Sequence, residues 1–389
     1  MRVLHLITTL NRGGIERWVL QMLERGPSLG IHSDVCCRKE RGAWAEKAEA
    51  LGANVFVIHF GPLHVSYGKK LRQLLRQGAY DLVHCHLGSY SGYPVYLAHR
   101  EGLPIITTFH NTDLPPQEPW LKGVLASRVR SLYSKQSIRY AVRRCEQVVC
   151  VSAVVADRVA SDNHAARGRV RVIYHGVEVP PLASEDDRAR FRGSLGWGDK
   201  DVLVLHVGRF DEQKNHEAVV TMFHRVIQQK SYARLVMVGD GPLRPIIERR
   251  VKELGLEDKA RFLGYRDDVP AIMSVSDVFV FPSINEGFGI VAIEAAAAGL
   301  PVVASRVPGL TEVVRHKETG VLCDLHDIAG MVEAVKTLIE DESMRSQMGA
   351  AGRQWVSENF SEEHMVQEYL DVYTDVLDRW RRGKSIKSR

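Results

Sequence analysis

Short apolar, β-branched runs alternate with segments of helical spacing along most of this chain, and no other feature limits its possible folds so strongly. The strand candidates of the first half are Val3 to Ile7, Asp34 to Cys37, Val55 to Ile58, Leu82 to Cys85, Ile105 to Phe109, Val148 to Val151 and Val170 to Tyr174. Segments such as Ile15, Trp18, Val19, Met22 and Leu23 lie between them with apolar residues on one helical face. Strand and helix in repetition imply a parallel sheet covered on both sides. The pattern stops after His175-Gly176-Val177, where Pro180-Pro181 and the charged run Glu185 to Arg192 read as a linker and a short surface helix. It resumes with Val202 to Val207, Leu235 to Val238, Arg261 to Leu263, Val278 to Phe281 and Val302 to Ala304, and from Ile328 to about Trp380 only helix is expected. A chain of 389 residues also exceeds what one core serves well. The expected fold class is α/β, two Rossmann-like doubly wound parallel-sheet domains facing a cleft, with a first domain over 1–178, a second over 179–362 and a terminal helix with a basic tail over 363–389.

Composition adds exclusions. A hydrophobic fraction of 45% with 25% charged residues is that of an ordinary globular enzyme. No apolar run approaches the roughly 20 residues of a membrane span, and the N-terminus enters a strand without a leader pattern, so a cytoplasmic protein is expected. The six cysteines include no Cys-x-x-Cys and are expected to be reduced and structural, with neither zinc nor a disulfide framework.

The stretch Phe281 to Gly299, Phe-Pro-Ser-Ile-Asn-Glu-Gly-Phe-Gly-Ile-Val-Ala-Ile-Glu-Ala-Ala-Ala-Ala-Gly, carries the densest signal. A buried strand should end at Phe281, and a helix should start near Phe288 and Gly289 and stop at Gly299 before Pro301. A helix start at the carboxyl end of a parallel strand turns unpaired N–H groups toward a ligand. Glu286 in the turn and Glu294 on the second helical turn are acceptors suited to ribose or sugar hydroxyls. The whole pattern, Glu-Gly-Phe-Gly followed by Glu-Ala-x-Ala-x-Gly, resembles the donor site of the family 4 retaining glycosyltransferases. That resemblance implies the GT-B architecture, whose last helix crosses back onto the first domain, with Glu363 to Trp380 as the candidate. It also implies that Glu294 holds the ribose, that Glu286 holds the donor sugar, and that Gly287, Phe288 and Gly289 line the donor site.

Other segments fit the same family. In Val207-Gly208-Arg209-Phe210-Asp211-Glu212-Gln213-Lys214-Asn215, the cations Arg209 and Lys214 could neutralise a diphosphate leaving group. Gly-Arg-x4-Lys matches the family's diphosphate clamp, although Asn215 stands where many members have glycine. Gly13 and Gly14, in the first strand-to-helix turn, allow close backbone approach and match the family's glycine-rich loop near the acceptor and the donor phosphates, Gly14 counting among the donor-binding residues; a Gly-x-Gly-x-x-Gly dinucleotide fingerprint is absent, which argues against a nicotinamide or flavin. His110, after the strand Ile105 to Phe109, matches the family's cleft-facing histidine. Leu263, in Arg261-Phe262-Leu263-Gly264-Tyr265, matches the strand end whose backbone meets the nucleobase. His84 and His86 point to one face at strand spacing, but no further ligand set is evident. The one Asp-x-Asp, Asp199-Lys200-Asp201, precedes the strand Val202 to Val207 instead of following a strand end; no metal is expected, and no cofactor beyond a nucleotide diphosphate sugar as co-substrate.

From Trp120 to Cys145 the basic residues Lys122, Arg128, Arg130, Lys135, Arg139, Arg143 and Arg144 interleave with apolar ones and no acid. Such a stretch suits either a solvated helix face or an anionic membrane surface. No nucleic-acid module is recognised. The expected activity is retaining transfer of a sugar, from UDP as the expected carrier, to a hydroxyl of a glycan, oligosaccharide-lipid or glycolipid. The expected catalytic group set is His110, Glu286, Arg209 and Lys214, in a cytoplasmic protein peripheral at the inner face of the membrane. A nucleotide-sugar epimerase on the same architecture, or a non-catalytic nucleotide-sugar or membrane-binding protein, remains open at this point. Acceptor choice should lie in the loops Gly61 to Gly68 and Thr112 to Lys122.

Overall fold

The computed structural model describes residues 1–60, 65–111, 124–163 and 168–387. Contacts divide the chain into one unit of Met1–Gly176 with Glu362–Arg389, and a second of Val177–Ser361.

The first unit holds a seven-stranded sheet in the order β3-β2-β1-β4-β5-β6-β7. Its strands are β1 (Arg2–Ile7), β2 (His32–Cys37), β3 (Val55–Val57), β4 (Leu82–Cys85), β5 (Ile105–Phe109), β6 (Gln147–Cys150) and β7 (Val170–Val172). All the pairs are parallel. The strand order turns back between β1 and β4, the place where open sheets of this kind bind ligands. The helix Gly14–Arg25 follows β1 and buries Trp18, Val19, Met22 and Leu23 on its expected face, with Glu16 in its first turn and Arg25 in its last, as its dipole favours.

The C-terminal helix Glu362–Lys387 belongs to this unit, as the sequence led one to expect. Met365, Val366, Tyr369, Val372, Tyr373 and Val376 are buried in the same cluster as Trp18 and Ile7. Burying an aromatic side chain contributes on the order of 2 kcal/mol, and the helix also makes polar contacts. Tyr373 Oη lies 2.6 Å from His84 Nδ1, and Arg25 reaches Glu362 at 3.3 Å.

The second unit repeats the plan with six parallel strands, β10-β9-β8-β11-β12-β13. They are β8 (Val202–Val207), β9 (Ala233–Val238), β10 (Ala260–Phe262), β11 (Val278–Phe281), β12 (Val302–Ser305) and β13 (Gly320–Cys323). Five were expected; β13 is the addition. The turning point lies between β8 and β11. The helical tail is three helices, Ile328–Glu340, Glu342–Asn359 and Glu362–Lys387, with Asp341 accepting from the Met344 N–H to start the second. All six cysteines are buried and unpaired, and burial pushes their thiols up, to about 11 for Cys85 and about 12 for Cys145.

Candidate functional site

In the second unit, the loops after β8 and β11 flank the turning point of the sheet and are fastened to each other. Gln213 donates from Nε2 to the Asn285 carbonyl at 2.7 Å, and the Ile284 N–H donates to the Gln213 carbonyl at 2.9 Å. Asn215 donates from Nδ2 to the Pro282 carbonyl at 3.1 Å. Its backbone is left-handed, φ 53°, at the start of the helix His216–Ile227. Only glycine and, at modest cost, asparagine adopt that conformation readily, which accounts for Asn215 where the family often has glycine.

These ties bring Lys214 and Glu286 together. Lys214 Nζ donates to Glu286 Oε1 at 2.5 Å, with only 17% and 8% of the two side chains exposed. The ammonium also lies 4.8 Å from the centre of the Phe281 ring. A charge pair this enclosed is strong only while both partners remain, since either alone would be a desolvated ion. Gly309, at φ 84°, holds the next loop against this one; a Cβ there would lie 2.5 Å from the Glu286 carbonyl oxygen. Arg209 leaves the same β8 loop but extends into solvent, 68% exposed and 3.9 Å from Asp211.

Gly289, at φ 88°, starts the helix Ile290–Ala297, close to the expected position. Phe288 is buried and packs edge-on against Phe360 at 5.7 Å, while Gly287 and Glu294 are half-buried. Leu263 follows β10, its N–H donating to the Met237 carbonyl at 2.9 Å. Behind the β8 loop sit two buried imidazoles, His206 and His216, which burial lowers to about 4 and about 2. Sequence reasoning missed both; their sign was a polar residue inside an apolar strand and at a helix start.

In the first unit, Gly13 precedes the helix Gly14–Arg25, and its carbonyl accepts from the Arg17 N–H at 2.9 Å. A Cβ on Gly13 would lie 2.5 Å from Glu16 Oε2. Burial raises the Glu16 carboxyl to about 7, against hydrogen bonds to it that lower it.

His110 emerges half-buried after β5. Its Nε2 lies 3.0 Å from His86 Nδ1 and its Nδ1 lies 3.4 Å from His175 Nε2, so both ring nitrogens already have partners. Burial first, and then His175, hold its pKa well below the ordinary value.

The pair His84 and His86 gains a third member the sequence did not reveal: with His5, their nitrogens lie within 4.8 Å of one another. Each of those rings is nevertheless spent on hydrogen bonds. His84 meets Tyr373 Oη at 2.6 Å and Thr108 Oγ1 at 2.7 Å, His5 meets Ser33 Oγ at 3.1 Å, and His5 and His86 meet each other at 3.4 Å. That bonding explains the cluster without an ion. Loop residues 61–64 and 112–123, with Trp120 and Lys122, lie outside the described residues.

An enclosed ammonium and carboxylate at one sheet end can meet an anion and hydroxyl groups. A family model described as Glycosyltransferase Family 4 matches residues 12–179, and one described as Glycosyl transferases group 1 matches 187–355. The chain is 28% identical over 336 residues to the N-acetyl-alpha-D-glucosaminyl L-malate synthase of Bacillus anthracis, covering 84% of this chain and 83% of that protein. It is 26% identical over 397 residues to the D-inositol 3-phosphate glycosyltransferase of a Nocardioides species, covering 94% and 86%. Among solved structures, Anabaena Alr3699/HepE superposes with a TM-score of 0.81 at 22% identity over 96% of this chain and all of that one. The sucrose-phosphate synthase of Thermosynechococcus elongatus superposes with a TM-score of 0.77 at 22% identity, over 97% of this chain and 100% of that one. With models matched along most of both units and relatives aligned over more than four-fifths of their length, this chain belongs to glycosyltransferase family 4 and is a sugar-transferring enzyme of the GT-B fold.

Proposed function

We propose that the protein transfers a sugar, with retention at the anomeric carbon and without a metal, from a UDP-sugar to a hydroxyl of a glycan or lipid-linked acceptor. The observation that carries this reading is the enclosed Lys214–Glu286 pair at the ends of β8 and β11. A bound donor supplies a diphosphate that shares the Lys214 charge with Glu286, and Arg209 on the same loop adds a second cation. Charge developing on the leaving diphosphate is then met by groups already in place, the arrangement that lowers barriers most. Glu286 accepts from hydroxyls of the transferred sugar and Glu294 from those of the ribose. N–H groups of Phe288 and Gly289, at a helix start, add positive potential. Leu263 meets the base through its backbone, and Gly13 and Gly14 bring backbone close to the acceptor. His110 is the group that the first unit offers to the sugar. Because a nucleoside diphosphate leaves readily, no protonating acid is required, and the acceptor attacks on the face that the diphosphate vacates.

Two kinds of relative support the choice of donor: HepE was solved with UDP-glucose, and the Bacillus relative is named for an N-acetylglucosaminyl product. A lipid-linked acceptor at an anionic membrane face draws support from the helix Val124–Arg144. Arg128, Lys135, Arg139, Arg143 and Arg144 are exposed beside Val129, Leu132 and Tyr140. Tyr93, Tyr96, Tyr133 and Tyr140 line a cavity of about 760 Å³ with Arg139 and Arg143. No described helix is long and apolar enough to cross a membrane.

Melting the protein with UDP-, GDP- and ADP-sugars tests the donor, because a ligand at 100 times its dissociation constant stabilises by roughly 2.7 kcal/mol. UDP-sugars are expected to raise the melting temperature and the others not, with vesicle sedimentation and the anomeric proton of the product testing the rest. Stabilisation by GDP- or ADP-sugars alone, or an inverted product, would overturn the corresponding part.

A further inference from the structure

Four imidazoles form an unbroken line through the first unit. His5 Nε2 meets Ser33 Oγ at 3.1 Å, and His5 Nδ1 meets His86 Nε2 at 3.4 Å. His86 Nδ1 meets His110 Nε2 at 3.0 Å, and His110 Nδ1 meets His175 Nε2 at 3.4 Å. His5 lies on β1, and the other three lie just beyond β4, β5 and β7, so the sheet gathers residues far apart in sequence.

A neutral imidazole has one N–H and one lone pair. Each link in the line needs one of each. Placing the proton on one ring therefore decides every other: all four carry it on Nδ1, or all four on Nε2. Any mixture sets two lone pairs or two N–H groups face to face in a buried site. Neutrality is secured by burial, which lowers His5 and His175 to about 3 and holds His86 and His110 well below the ordinary value.

We propose that His86, together with His5, is a positioning residue for His110: the line fixes the plane of the His110 ring and ties its tautomer to that of its neighbours, so that Nδ1 cannot change its hydrogen-bonding character toward the transferred sugar independently of the line. This rests on the reading of His110 as the sugar-contacting group. Nδ1 is the side that exchanges, because its link to His175 is 3.4 Å against 3.0 Å for the link to His86, and hydrogen bonds weaken with length. A sugar hydroxyl then displaces the long link and leaves the short one in place. Around metal-bound histidines the loss of such a supporting partner costs about 10- to 100-fold in metal affinity or activity, and an effect at the lower end is expected here.

The test combines nitrogen NMR of histidine-labelled full-length protein with kinetics, using UDP-glucose and UDP-N-acetylglucosamine as donor probes and UDP release as the readout. In the unsubstituted protein, His110 should show one protonated and one unprotonated ring nitrogen. His86→Phe keeps the ring volume and removes both links; it should average the two His110 signals and lower kcat about 10-fold, with KM for the donor little changed. His86→Asn, whose amide lies near the Nδ1 position, should restore the separate signals and most of kcat. His110 signals averaged independently of those of His86 in the unsubstituted protein overturn the proposal whether or not any variant folds. Unchanged signals and kcat in His86→Phe overturn it too, provided His110→Ala is impaired. Full activity in His110→Ala would instead remove the reading of His110 on which the proposal stands.

Discussion

The two units share a sheet plan and differ in what they place at its turning point. In the first unit a line of neutral imidazoles starts at β1 and β4 and runs on past β5 and β7, and between β8 and β11 the second encloses an ammonium and a carboxylate. Strand order alone therefore sets where a ligand can bind, and the residues on two loops decide what is bound there. A neutral hydrogen-bonded line can orient a group but carries little charge. An enclosed ion pair can exchange partners with a charged ligand, and suffers heavily if one member is lost.

Acid should separate the units most strongly. His5, His84, His86, His110 and His175 in the first unit, and His206 and His216 in the second, have folded values below the ordinary 6.5. Below pH 6.5 the unfolded chain takes up protons that the folded rings refuse, so the stability these rings contribute is whole above that pH and is lost as pH falls toward the folded values. A ring that stays neutral at pH 5 loses about 2 kcal/mol of that contribution. Hydrogen exchange by mass spectrometry between pH 7 and 5 should show the first unit opening before the second; the reverse order would break the comparison.

Next in size is the ion pair. Lys214→Ala and Glu286→Ala should each lower kcat/KM by about 10² to 10³, and the double variant by little more, because the two act as one unit. Additive losses, or none, would contradict that. Lys214→Met should also destabilise the second unit by about 3 kcal/mol, since it strands a buried carboxylate, and further replacement of Glu286 by Leu should recover most of this without activity.

Smaller is the anchor of the C-terminal helix. Tyr373→Phe removes the hydroxyl that meets His84 and should cost about 1–2 kcal/mol in denaturant unfolding of the first unit, with kcat kept. Least is Asn215→Gly, where the left-handed backbone welcomes glycine and one hydrogen bond is lost; a change below about 1 kcal/mol is expected, and a larger one would mean that the Pro282 contact governs the loop.

The sequence shows these two sites unequally, for a physical reason. Lys214 and Glu286 stand in local motifs, Gly-Arg-x4-Lys and Glu-Gly-Phe-Gly, whose spacing on a strand-turn-helix frame is readable along the chain. The imidazole line is assembled by register: His5 pairs with His84 across β1 and β4, 79 positions apart, and His175 arrives from beyond β7. His86 and His110 stood out singly along the chain, and the histidine inside the otherwise apolar β1 run was a further sign, since a polar ring there needs partners; nothing in the sequence joined them. Strand β13, Gly320–Cys323, was not counted in the expected series. The breaks at Asp341 and Phe360 in the helical tail were equally quiet, one a side-chain cap and one a bend.

The central claim is that the Lys214–Glu286 pair receives the donor, Lys214 at its diphosphate and Glu286 at its sugar. A crystal structure of the protein with an intact UDP-sugar tests it most directly. Lys214 should lie within hydrogen-bond reach of diphosphate oxygens and Glu286 within reach of the sugar hydroxyls, with Glu294 on the ribose. A donor bound elsewhere, with the pair still closed upon itself, would contradict the account.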